Sequence, residues 1–136
     1  MAGEATRTTI NELLDAARRK LRRLEPQEAC HAMVGGAVLI DIRSEHQRER
    51  DGVIPGAHFV PRNALEWRLD PASLHSDPAL GEGFDRLVIL VCDGGYQSSL
   101  AAATLQALGF AHATDLIGGF QAWRAAGLSV EPHRRT

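Results

Sequence analysis

Apolar residues along the chain gather in two nearly unbroken runs, Ala37-Val38-Leu39-Ile40-Asp41-Ile42 and Leu87-Val88-Ile89-Leu90-Val91. Neither alternates with polar positions, as expected of strands covered on both faces. Shorter stretches at residues 58–60 and 113–117 read as further strands. Elsewhere the spacing is helical. Ile10, Leu13, Leu14 and Ala17 form one stripe, with Thr8 or Thr9 as the cap and Glu12 placed to close a capping box on Thr9. That helix is expected to end near Lys20, and residues 21–24 to form a short edge strand. Pro26 suits the first turn of a second helix, which Gly35 and Gly36 stop. A charged helix is predicted over 45–50, a turn at Ile54-Pro55-Gly56, and loop with one helical turn over 71–82. An Ala-rich helix follows over 98–108, with Gly109 as its stop. The last helix covers 119–126 and ends at Gly127. Strands thus alternate with helices, which predicts an α/β fold: an open parallel sheet with helices on both faces. Residues 1–7 and 131–136 are expected to fray.

Composition adds bounds rather than detail. The chain has 136 residues, 44% hydrophobic and 24% charged, which suits one domain with its own core. Its net charge of −2 supplies no bulk attraction to nucleic acid or anionic lipid. Arg18, Arg19, Lys20, Arg22 and Arg23 do cluster, and a solvated helix face accounts for them. No apolar run approaches the roughly 20 residues needed to span a bilayer. The first residues lack the apolar core of a secretory signal, so a cytoplasmic protein is expected. The two cysteines, Cys30 and Cys92, form no CxxC pair and no Cys/His ligand spacing. That leaves no metal site and no disulfide framework to propose.

Chemistry concentrates at Val91-Cys92-Asp93-Gly94-Gly95-Tyr96-Gln97-Ser98-Ser99. A buried strand ends at Cys92, a glycine loop follows, and a helix begins near Ser98. Ligands in open α/β sheets bind outside the carboxyl ends of strands. The helix start offers free N–H groups and the positive end of its dipole. Gly94 and Gly95 allow further amides to turn inward, a nest that stabilises an anionic sulfur. A buried core cysteine is the plainer alternative; the combination of strand end, double glycine and helix start argues against it.

These residues resemble the rhodanese family. Cys92-Asp93-Gly94-Gly95-Tyr96-Gln97-Ser98 is similar to its CxxGx-polar-S active loop, and Asp41-Ile42-Arg43 to its D-x-R strand end. Gly52-Val53-Ile54-Pro55-Gly56-Ala57 resembles its GHIPGA signature, with Pro61 as the proline soon after. Leu108-Gly109-Phe110 and the stretch from Leu116 through Gly118-Gly119 to Trp123 resemble its LGF and L-x-GG-x-x-x-W segments. The resemblance covers about residues 21–130, leaving 1–20 as an N-terminal helical extension and 131–136 as a tail. It implies a five-stranded parallel sheet and a sulfurtransferase whose cysteine alternates between free thiolate and persulfide. Cys92 is then the catalytic residue. Asp93, Gly94, Gly95, Tyr96, Gln97, Ser98 and Arg43 are expected to face the substrate, with Asp41 as a structural partner of Arg43; a structural salt bridge between those two at the pocket floor is the alternative for Arg43. Three positions depart from the pattern. Val53 replaces the usual His, Gln97 the frequent Arg, and Asp93 adds a negative charge beside the nucleophile, which should disfavour thiosulfate as donor.

The expected reaction needs no cofactor. Its partners would be a small sulfur donor and a thiol or cyanide acceptor, with a protein persulfide as a further donor or acceptor. A rhodanese-like sulfur carrier or binding module without turnover is the alternative. A cysteine phosphatase or arsenate reductase is excluded, because such loops use Cys-x5-Arg and the corresponding position here is Ser98. Trp123 is expected to anchor the core and Cys30 to lie half-buried in a helix. His58, Arg48 and Arg50 are weaker candidates for the pocket entrance.

Overall fold

The computed structural model describes residues 6–134. Its elements run α1 (Ile10–Arg18), α2 (Pro26–Val34), β1 (Val38–Asp41), α3 (Glu45–Asp51), β2 (His58–Phe59), α4 (Leu65–Leu69), β3 (Val88–Val91), α5 (Gln97–Ala107), β4 (Ala113–Asp115) and α6 (Gly119–Ala125). The strands are parallel in the order β2-β1-β3-β4. The chain leaves β1 toward β2 and returns on the other side of β1 to make β3. The topological switch therefore lies between β1 and β3, where such sheets open a crevice.

Alternate residues of the strands feed separate cores. Ile40, Val88 and Leu90 pack with Leu65, Leu69, Ala101, Ala102, Leu105 and Phe110. Leu39, Ile89 and Val91 pack on the opposite side with Ala29, Ile54, Leu116, Phe120 and Trp123. Each fully buried side chain of this kind contributes about 1.5–3 kcal/mol relative to exposure. Helices thus cover both faces: α4 and α5 one, α2 and α6 the other. Trp123 is 2% exposed, and its indole Nε1 donates to the Ser129 carbonyl oxygen at 2.9 Å. The Thr9–Glu12 capping box forms at the start of α1 as expected, and Cys30 is half-buried in α2.

The sheet has four strands among the described residues, not five. Residues 21–24 contribute a single parallel bridge, Leu24 to Leu116. Before it, the Gln106 side chain donates to the carbonyl oxygens of Lys20 and Ala113 at 3.0 and 3.1 Å, taking the place of ladder bonds. After it, Pro26 has no N–H to donate. The tail also differs from expectation. Glu131 forms an antiparallel bridge with Val53 through bonds of 2.8 and 2.9 Å, and His133 lies 3.2 Å from Glu45. Of the ends expected to fray, residues 1–5 and 135–136 lie outside the described residues. No helix among those described is long and apolar enough to cross a membrane.

Candidate active site

Cys92 follows β3 at the crevice and is 7% exposed. Its Sγ accepts from the Gly95 N–H at 3.1 Å and the Ser98 N–H at 3.3 Å. Tyr96, the residue before α5, makes no side-chain cap. The sulfur therefore takes the position of a capping acceptor at the second residue of the helix, where amides otherwise lack partners. The Ser98 hydroxyl lies 3.3 Å from Sγ and donates to Asp115 Oδ2 at 2.8 Å, so its lone pair faces the thiol proton. Sequence, loop and chemistry meet here: a strand end, two glycines and a helix start place amide dipoles around one atom.

The loop keeps its shape because glycines let two segments interlock. Gly95 has φ +86°, and a Cβ there would stand 2.7 Å from the Gly118 nitrogen. Gly119 has φ +63°, and its Cβ would stand 2.4 Å from the Cys92 carbonyl oxygen. That same carbonyl accepts the Phe120 N–H at 2.8 Å, and the Asp93 carbonyl accepts Gln121 N–H at 3.2 Å. The α6 N-terminus is thus seated directly on the cysteine loop.

The expected site residues divide. Gly95 and Ser98 touch the sulfur through their amides. Tyr96 is 66% exposed, with the Arg18 guanidinium 5.5 Å from its ring centre. Gln97 Oε1 is 3.4 Å from Arg62 Nε, so a cation does stand near the position where the family pattern often has Arg. That cation is held by Glu66 at 2.8 and 2.9 Å. A Cβ at Gly94 would meet the Tyr96 ring at 3.5 Å. The Asp93 carboxylate accepts from Gln121 Nε2 at 3.0 Å and lies 3.7 Å from Arg50. It is drawn to the rim between α3 and α6. Asp51 belongs to the same rim: a hydrogen bond from Arg50, then one from Gln121, holds its carboxyl well below the ordinary carboxylate range.

Arg43 takes the salt-bridge role and not the substrate-facing one. It is 2% exposed, chelates Asp41 at 2.8 and 3.0 Å, donates to the Gly52 carbonyl at 2.8 Å and lies 3.7 Å over the Phe120 ring. Its guanidinium is enclosed, so it braces the GHIPGA-like turn against α6 instead of facing the crevice. Asp41 is its structural partner as anticipated. Residues missed by sequence reading are Arg18, Arg23, Ser99 and Asp115. Arg23 chelates Asp115 at 2.8 and 3.2 Å, and both arginines donate to the Gly95 carbonyl, at 2.8 Å from Arg18 and 3.0 Å from Arg23. A solvated face thus accounts for Arg19, Lys20 and Arg22, which are exposed, but not for these two. Only a fold that joins residues 18–23 to β4 reveals them.

An open parallel α/β sheet carrying an amide-ringed cysteine at its switch point defines the class. A sequence profile of the Rhodanese-like domain matches residues 25–126, and the chain belongs to that family. It is 35% identical over 104 residues to the thiosulfate sulfurtransferase GlpE of Stutzerimonas stutzeri, covering 76% of this chain and 84% of that one. It is also 33% identical over 127 residues to the adenylyltransferase and sulfurtransferase MOCS3-2 of Zea mays. That match covers 91% of this chain but spans only 24% of the maize protein. Among solved structures, a Rhodopseudomonas palustris protein of unknown function, described as a possible tyrosine phosphatase, superposes with a TM-score of 0.83. It is 36% identical, with 96% of this chain and 99% of that one covered.

Proposed function

We propose that the protein is a sulfurtransferase that carries sulfur as a persulfide on Cys92. The observation that carries this reading is the pair of amides on Sγ, from Gly95 and Ser98, at the start of α5. The Cys92 thiolate attacks the sulfane sulfur of a donor. A new S–S bond forms as the donor's bond to that sulfur breaks, and the remainder leaves with the electron pair, as sulfite when the donor is thiosulfate. The loop N–H groups then hold the resulting persulfide anion. An acceptor thiolate, cyanide or the cysteine of a partner protein attacks it, and the Cys92 thiolate is the leaving group. No step requires a cofactor. Family membership and the GlpE relatives support the reaction class, while the loop geometry supports the residue. Asp93 at the rim weighs against thiosulfate as the preferred donor.

Mass spectrometry of protein incubated with thiosulfate, 3-mercaptopyruvate or a persulfide donor tests the reading. A cyanide-sensitive adduct of one sulfur atom is expected on wild type and on Cys30→Ser, and none on Cys92→Ser. An adduct that survives in Cys92→Ser would sink the mechanism.

A further inference from the structure

We infer that Arg18, Arg23 and Asp115 form a positioning cluster beneath the sulfur site, through which the N-terminal segment sets the charge felt by Cys92. The inference rests on Cys92 being the reacting group. Asp115 is fully buried and accepts four hydrogen bonds: two from Arg23, one from Ser98 at 2.8 Å and one from Ser99 at 2.7 Å. Arg18 Nε in turn donates to Ser99 Oγ at 3.1 Å. Arg23 thus lies directly on the carboxylate and Arg18 one hydroxyl away from it through Ser99, so two cations accompany one carboxylate.

It reaches the sulfur by two routes. The Ser98 hydroxyl bridges Asp115 and Cys92 Sγ. The Gly95 carbonyl, gripped by both arginines, fixes the residue whose own N–H points at Sγ. The loop has Gln97 where the family pattern often has a cation, and here cations approach from below instead. The other charged side chains near the loop engage one another: Asp93 and Asp51 share Arg50 on one rim, and Arg62 pairs with Glu66 on the other. Taking away Arg23 leaves a buried carboxylate one hydroxyl from the sulfur and should disfavour thiolate. Taking away the charge of Asp115 leaves the arginines unopposed and should favour it. A purely structural role would give the same sign for both changes.

The test is alkylation of Cys92 by iodoacetamide across pH in the Cys30→Ser background, with thermal melts to monitor folding. Arg23→Gln should raise the pH midpoint of alkylation by roughly one unit and slow the reaction at neutral pH by about tenfold. Asp115→Asn should lower the midpoint. Arg23→Lys, which keeps a cation but loses the fork, should restore most of the wild-type profile. Arg18→Gln should shift it upward by less than Arg23→Gln. If Arg23→Gln does not fold, the downward shift in Asp115→Asn carries the test. Shifts of the same sign in Arg23→Gln and Asp115→Asn, or an unmoved midpoint in Asp115→Asn, would overturn the proposal. Alkylation needs no sulfur donor. A protein that never takes up sulfur therefore removes the sulfurtransferase reading while leaving this result standing.

Discussion

At the scale of single residues, Asp93 shows how a neighbour in sequence is partly removed in space. A bare carboxylate about 6 Å from an anion costs it about 2.8 kcal/mol at an effective dielectric of 20. Asp93 is one-third exposed, is hydrogen-bonded by Gln121 and has Arg50 at 3.7 Å, so solvent and countercharge take up most of that. Asp93→Asn should raise kcat/KM for thiosulfate by only about threefold, a gain of about 0.7 kcal/mol, and less for a singly charged donor. Steady-state kinetics at low and high salt would check this. A loss of activity would mean that the Asp93–Gln121 bond orders the loop instead. The same scale separates what could be read from the sequence. Cys92 and its amides were legible because strand end, glycines and helix start lie within a few residues of one another. Arg43 stood between two roles because strand alternation gives a side chain's face and not its enclosure: only Phe120 and the Gly52 carbonyl, brought in from elsewhere, decide that it is buried.

At the scale of elements, the contact between the α6 N-terminus and the cysteine loop fixes the site. Gly119→Ala would press a methyl group onto the Cys92 and Asp93 carbonyls at 2.4 and 2.7 Å, in a backbone region that disfavours side chains. The expected cost is at least about 2 kcal/mol of stability, read from urea denaturation, with a parallel loss of persulfide loading. An unchanged midpoint would show that the two segments can separate freely. Elements buried on both faces were the legible ones, since β1, β3 and α5 announce themselves as continuous apolar or Ala-rich runs. Among the short elements, β2, α3, β4 and α6 could also be read, but α4 could not. The α4 helix has only Leu65 and Leu69 buried in five residues, too brief a stripe for periodicity to stand out. The expected fifth strand had the right apolar residues, Leu21 and Leu24. Whether such residues form a ladder depends on competitors from distant segments, and here Gln106 takes the carbonyl oxygens of Lys20 and Ala113.

At the scale of the whole molecule, both ends of the described chain close on the domain. Residues 18–23 run beneath the sulfur loop, and Glu131 pairs with Val53 beside the turn that Arg43 braces. The family profile matches residues 25–126, and the contacts that hold the Cys92 loop reach beyond that stretch to Arg18 and Arg23. The Cys92 sulfur stands in for a helix cap on α5. An acceptor that binds the free amides of the folded state, and has no such partners when unfolded, stabilises the fold as a bound ligand does. A persulfide gives up its proton more readily than a thiol, so the loaded protein presents those amides with the fuller negative charge. Loaded protein should therefore melt a few degrees higher than free protein, at roughly 3–5 °C per kcal/mol for a domain of this size, and cyanide should return it to the lower value. Equal melting temperatures would mean that the amides do not distinguish the two forms. Linkage runs in both directions. Whatever free energy sulfur uptake adds to the fold, an acceptor must overcome to take the sulfur away, so the stability of the domain and its readiness to release cargo are set against each other.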